Sequence, residues 1–257
     1  MSIYSRKIVR VLYSKMLYIL NLPKRFWLFS YGAVKVKKRG DFPVMGLVPI
    51  LGDENCEAGQ IDSHYFLQDI YMAKKIIEHS PQNHYDIGSR IDGFISHLLC
   101  CGVSVTMIDI RPICCDIENL SFIQADATSL KEIPDNSLNS ISTLHAIEHF
   151  GLGRYGDSID AYACDKVMSE LKRVVDRGGL LYLSLPISNK NGVLYNSHRV
   201  FTPKYIMNVF EGFNVCSFAY IRDYKIHEYV GEEAIAVIEA NEFLEYDCGM
   251  FVLEKCI

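Results

Sequence analysis

Apolar positions change their period several times along the chain, and each change marks an element. Residues 65–78 place Phe66, Ile70, Ala73, Ile76 and Ile77 on one side at helical spacing. Short apolar runs follow at 84–87, 104–109, 120–124, 138–145 and 180–186, each the length of a buried strand. Helical periods fall between several of them. One starts near Ile91 and stops at Gly102, a residue suited to a C-terminal cap. A second covers 161–175, with Asp160 as N-cap, a stripe of Val167, Met168, Leu171, Val174 and Val175, and Gly178-Gly179 as its stop. Thr202-Pro203 opens a shorter helix that ends at Gly212. This alternation predicts an α/β domain with parallel strands joined by right-handed crossovers. Residues 214–219 and 248–254 read as closing strands, separated by an acidic stretch without a clear period, and residues 46–53 read as a loop.

Composition narrows the class. A chain of 257 residues that is 49% hydrophobic and 22% charged suits a globular protein with one large core, not a disordered or fibrous one. Its nine cysteines are odd in number, include two adjacent pairs and form no C-x-x-C. That usage predicts reduced thiols in a cytoplasmic protein rather than a disulfide scaffold or a zinc ribbon.

Charge divides the chain. Residues 1–40 hold ten basic side chains and no acidic one, which leaves 16 basic against 31 acidic over residues 41–257. So acidic a body argues against nucleic acid as a partner. Ile8, Val11, Leu12, Met16 and Ile19 recur at helical spacing among the N-terminal charges, with Phe26, Trp27 and Phe29 beyond. Such a segment suits peripheral contact with an anionic membrane surface, here the inner face, and equally suits docking on the protein's own acidic body. Its apolar stretches are too short to span a bilayer, and its scattered charges do not fit a cleaved signal. The expected division is an N-terminal extension, 1–40, and a domain, 41–257.

Chemistry first shows in Asp86-Ile87-Gly88-Ser89-Arg90-Ile91-Asp92-Gly93, between a strand and a helix. Glycines there let the backbone turn tightly beside a ligand, and the helix start offers unpaired amides. A P-loop would need Lys and Ser/Thr after Gly93, where Phe94-Ile95 stand, and Arg90 fills the second glycine of a dinucleotide fingerprint. An acidic-x-Gly loop for S-adenosylmethionine fits best, its carboxylate facing the positive end of that cofactor. Asp109 ends the next strand, where a ribose-binding acid belongs, and Asp126 with Ala127 follows the third strand, towards an adenine edge. Three acids then meet one crevice; the alternative is that Asp109 and Asp126 only cap loops.

These motifs, with Leu144-His145-Ala146-Ile147-Glu148-His149 and the segment from Leu171 to Gly179, resemble those of class I S-adenosylmethionine-dependent methyltransferases. Ile87-Gly88-Ser89-Arg90, Asp109-Ile110-Arg111-Pro112, the run from Glu148 to Asp157, and Asn196-Ser197-His198-Arg199-Val200 also resemble a bacterial family of unknown function, often encoded among cell-surface polysaccharide genes. The first resemblance implies a Rossmann-like fold, a mostly parallel seven-stranded sheet with helices on both faces and an antiparallel hairpin at one edge. It implies S-adenosylmethionine as cofactor, held by Asp86, Gly88, Ser89, Arg90, Gly93, Asp109, Asp126, Ala127 and His145. Arg90 and Asp92 depart from it, standing where the pattern prefers glycine. The second resemblance implies a glycan context: a sugar, nucleotide-sugar or lipid-linked glycan as acceptor.

A sugar hydroxyl needs a positioned base, for which His149 is the first candidate and His198 the second, with Asp157 as orienting partner. Arg154, Tyr155 and Arg199 are candidates for the acceptor: a guanidinium for phosphate or carboxylate, a ring to stack on a sugar. The same histidines spell H-x-x-E-H, an inverted zinc-hydrolase motif that requires His145 and His149 on one helix. Here His145 falls at a strand tip, so the expectation is a site without metal. A fold that binds cofactor or nucleotide-sugar without methylating remains the alternative.

Overall fold

The computed structural model describes residues 3–37, 45–49, 51, 64–195, 197–244 and 246–257. The chain divides into two units, Met1–Gln60 and Ile61–Ile257. The boundary expected between residues 40 and 41 lies outside the described residues; of the loop expected at 46–53, residues 46–49 and 51 are described and have no regular structure.

In the first unit, one helix, α1 (Ile3–Lys37), runs through both apolar stretches and carries Pro23 within it. Ile19, Leu20, Trp27, Tyr31 and Val34 are exposed along it, and the Trp27 and Tyr31 rings stack at 5.5 Å. Arg25 donates to the Leu51 carbonyl at 2.7 Å. Among the described residues no helix is long and apolar enough to cross a membrane.

The second unit is built on one sheet. Its N-terminal half follows the expected alternation: α2 (His64–His79), β1 (Asn83–Ile87), a π-turn (Ile91–Ile95) leading into α3 (Ser96–Cys100), β2 (Ser104–Asp109), β3 (Leu120–Gln124), β4 (Leu138–Leu144), α4 (Ala163–Val174) and β5 (Val175–Ile187). A small hairpin, β6 (Gly192–Leu194) with β7 (His198–Val200), precedes α5 (Pro203–Val209), whose Thr202 cap accepts from the Tyr205 amide. β8 (Phe213–Arg222), β9 (Lys225–Val230), α6 (Gly231–Ala240) and β10 (Asp247–Lys255) complete it.

Strand order is β3-β2-β1-β4-β5-β10-β8-β9, parallel from β3 to β5 and antiparallel from β5 to the far edge. The sheet therefore has eight strands where seven were expected. The acidic stretch supplies β9 and α6. Two further expectations shift. Asp160 precedes α4 without capping it: Tyr162 is the N-cap, and Asp160 accepts from the Tyr162 amide and Lys166 instead. Gly178-Gly179 do not stop that helix, which ends at Val174; they lie within β5, where its register with β4 shifts.

Apolar side chains cover both faces. On one, Val167, Met168 and Leu171 of α4 and Ile206 of α5 pack with Leu183, Phe218 and Phe251. On the other, Met72 and Ile76 of α2 and Leu98 of α3 pack with Met107, Tyr182 and Met250. The eight described cysteines are free thiols. Phe251 is fully buried, 4.8 Å ring to ring from Phe218. Phe251→Ala is expected to cost roughly 3–5 kcal/mol, read as a lower urea midpoint at unchanged slope.

Candidate functional site

The parallel strands all end on one side, and there a cavity of about 730 Å³ opens. Its floor is the turn after β1. Gly88 adopts φ +76°, and a Cβ there would sit 2.9 Å from the Ala146 Cβ, so the turn is pressed onto the segment after β4. Ser89, Arg90, Gly93, Asp109, Asp126, Ala127 and His145 join Gly88 in the wall. Eight of the nine residues expected around the cofactor thus meet in one place.

Asp86 is the exception. It lies fully buried beneath the turn, accepting from the Ser89 amide (3.1 Å), the Ser89 hydroxyl (2.9 Å) and the Ser142 hydroxyl. It shapes the loop and does not line the cavity. Burial raises its carboxyl from 3.8 to about 6, against the pull of those three donors. Behind it, His84 bridges Ser140 (2.7 Å) and Ser142 (2.8 Å), and burial pushes its pKa down to about 3. Ser142 donates to Asp86, so it accepts from His84 Nε2, and Nδ1 accepts from Ser140.

The acid on the wall that the sequence did not disclose is Asp69, on α2 beside Gly93. Burial raises its pKa, while the Gln68 side chain donates to it at 3.0 Å. Tyr65 and Gln68 line the cavity from the same helix. Asp109 is held by Arg111, which donates through its amide (2.8 Å), Nε (2.9 Å) and Nη2 (2.6 Å). Burial opposes ionisation there, but those bonds win and hold the carboxyl below its ordinary value. Asp126 accepts on Oδ1 from both the amide and hydroxyl of Thr128.

At the mouth, residues 151–157 form a closed loop. Asp157 accepts from the amides of Gly151 (2.7 Å), Gly153 (3.3 Å) and Tyr155 (3.1 Å), so its carboxylate organises this loop rather than serving as the orienting partner of the histidine base. Gly151, at φ +74°, passes so near the Asp160 carbonyl that a Cβ would overlap it at 2.0 Å. Tyr155 is exposed, and the guanidinium carbons of Arg111 and Arg154 each stand 5.2 Å from its ring centroid.

His149 follows the strand tip and reaches the cavity. Its Nδ1 is 2.7 Å from the Ser197 carbonyl, an acceptor, so Nδ1 carries a proton, while Nε2 lies 3.7 Å from the buried Glu148 Oε1. His198 does not line the cavity; its ring lies 6.5 Å from that of His149, and burial lowers its pKa. Arg199 turns inward, donating to the Phe150 carbonyl at 2.6 Å, and so supports the segment after β4 instead of the acceptor space. His145 stands at φ +49° before the short 3-10 turn Ile147–His149. His145 and His149 therefore do not share a helix, and the inverted zinc-hydrolase geometry is not formed. Instead the His145 ring faces His64 and Cys248. Burial works to remove its proton, but Glu148 and Cys248 outweigh it and raise its pKa to about 10. The neighbouring His64 is pushed down to about 4 by burial and by His145.

A family described as "Caenorhabditis protein of unknown function, DUF268" matches residues 116–236, a little under half of the chain. None of the curated proteins matches the sequence. Among solved structures, the fold is similar to the 1,6-didemethyltoxoflavin-N1-methyltransferase of Burkholderia thailandensis, bound to 1,6-didemethyltoxoflavin and S-adenosylhomocysteine (12% identity, 75% of this chain and 80% of that one, TM-score 0.53). It is also similar to the [4+2]-cyclase SpnF (13% identity, 74% and 81%, TM-score 0.50). A third is phosphoethanolamine N-methyltransferase 2 of Haemonchus contortus (13% identity, TM-score 0.50), where the match covers 75% of this chain and 53% of that one. The fold is the Rossmann-like fold of class I S-adenosylmethionine-dependent methyltransferases.

The buried Asp86 carboxyl makes stability depend on pH. A folded pKa near 6 against 3.8 unfolded means its stabilisation is complete below about pH 4 and is lost as pH rises through 6. Between those limits the wild type should lose up to roughly 3 kcal/mol relative to Asp86→Asn, from a shift of about two units at 1.36 kcal/mol each. Urea midpoints of both proteins at intervals across that range measure it; parallel profiles would show that Asp86 titrates normally.

Proposed function

We propose that the protein is an S-adenosylmethionine-dependent methyltransferase acting on a sugar or glycan hydroxyl in surface polysaccharide synthesis. One observation carries the cofactor half: the Gly88 turn, Asp109 and Asp126 converge on a single cavity at the carboxyl ends of parallel strands. The residues fit that cofactor. Asp69 and the Gly88–Arg90 turn suit its amino-acid end, Asp109 its ribose hydroxyls, and Asp126 with Ala127 its adenine. The bound cofactor would supply an electrophilic methyl group on a sulfonium.

The acceptor half rests on the mouth of the cavity. Tyr155 offers an aromatic face for a sugar ring, and Arg111 with Arg154 offers charge for a phosphate or carboxylate. His149, which lines the cavity and is fixed through Nδ1 by the Ser197 carbonyl, is the group that would take the hydroxyl proton, at Nε2. The polysaccharide setting is supported by the motif resemblance alone. The basic helix α1 adds peripheral contact with an anionic membrane surface, on the cytoplasmic side. The alternative reading, binding of cofactor or nucleotide-sugar without methylation, uses the same cavity and differs only in having no methyl acceptor.

Calorimetry tests the first half: S-adenosylmethionine or S-adenosylhomocysteine should bind, and Asp109→Ala should weaken binding by roughly 1–3 kcal/mol. Heat signals absent for both ligands would end the reading. A panel of nucleotide-sugars and lipid-linked glycans tests the second. His149→Gln should keep cofactor affinity and slow methyl transfer by about 10²–10⁴-fold. Undiminished transfer would remove His149 as base, and no transfer by the wild type to any acceptor would favour the binding-only reading. Deleting residues 1–40 should release the protein from anionic vesicles at low salt, since each basic residue near such a surface contributes about 1 kcal/mol. Equal retention of the shortened chain would refute the membrane role.

A further inference from the structure

Three side chains far apart in sequence meet behind the cavity wall. His64 begins α2, His145 stands at the tip of β4, and Cys248 lies in β10. Their ligand atoms all fall within 4.8 Å of one another. His145 Nε2 is 3.3 Å from Cys248 Sγ, and the His64 and His145 ring centroids are 4.7 Å apart. His145 and Cys248 are buried, and the His64 Nε2 atom is buried without a hydrogen-bond partner. An imidazole nitrogen in that state is costly unless something accepts its lone pair.

We propose that His64 Nε2, His145 Nε2 and Cys248 Sγ bind one zinc ion. Two imidazoles and a thiol suit a borderline-soft transition metal, whereas magnesium and calcium require oxygen donors. Ideal tetrahedral zinc places a nitrogen and a sulfur ligand roughly 3.6 Å apart, from bond lengths of about 2.1 and 2.3 Å. The His145–Cys248 separation is already close to that, and the widest gap closes by about 1 Å. The outer shell is also in place: His145 Nδ1 is 2.7 Å from Glu148 Oε1, the carboxylate–histidine pairing that fixes the tautomer and leaves Nε2 for metal.

Charge favours the same outcome. Glu148 is 1% exposed, pairs with His145 through Oε1 and leaves Oε2 without a partner, so positive charge at this histidine is favoured, whether a proton or a metal carries it. Zinc takes the place of the proton shared between His145 and Cys248, and that proton leaves to solvent. Three protein ligands leave a fourth position for water. His145 also lines the neighbouring cavity, but His64 and Cys248 do not, so zinc binding measured without cofactor stands or falls apart from the methyl-transfer reading.

The test uses the untagged full-length protein. After zinc loading and dialysis, elemental mass spectrometry should find one zinc per chain, and zinc should raise the melting temperature. Cobalt in its place should show a thiolate-to-cobalt charge-transfer band that disappears in Cys248→Ser. His64→Gln, a change at a half-buried position, should weaken zinc binding by about tenfold or more. Melting curves without metal establish that both variants fold. A cobalt band persisting in Cys248→Ser, zinc affinity unchanged in both variants, or no zinc retained by the wild type would each overturn the proposal.

Discussion

Everything at the candidate site rests on one buried carboxylate. Asp86 gathers the Ser89 amide, the Ser89 hydroxyl and the Ser142 hydroxyl, and so ties the turn after β1 to the interior of β4. Ser142 is oriented in turn by His84, and His84 by Ser140, a polar chain lodged among apolar neighbours. Each member has one arrangement that satisfies all the others, which makes the chain rigid. The Gly88 turn can therefore press against Ala146 without a covering side chain, and the cavity floor is set before any ligand arrives.

The strand framework was legible because buried parallel strands write themselves as short apolar runs, and β1 to β4 fall within a residue or so of their expected limits. β9 and α6 were not, since a half-exposed edge strand and a short acidic helix carry no strong period. Gly178-Gly179 look like a helix stop in sequence, yet the structure uses them to shift register inside β5. α1 continues through Pro23, which has no amide to donate within the helix.

Site residues divide along the same line. Gly88, Asp109 and Asp126 could be placed because a parallel sheet delivers strand ends to a single edge. Where a side chain points was not written in that pattern: Asp86 turns beneath its loop, Asp157 into its own glycines, and Arg199 onto the Phe150 carbonyl. Asp69 escaped notice because it belongs to a helix before the first strand, outside every motif. Cys248 lies 103 residues from His145, a distance over which no local spacing speaks.

The position of β10 has a consequence for how the chain folds. It follows β8, β9 and α6 in sequence, yet it sits between β5 and β8, pairing Leu183 and Phe218 alike with Phe251. Until it arrives, two long apolar strands keep unpaired backbone edges facing each other across a gap. Closure joins partners 68 residues apart, an entropically slow event of high contact order. During synthesis on the ribosome, the half-built sheet is thus exposed to wrong partners for as long as that strand is missing, and chaperone capture of this intermediate competes with aggregation.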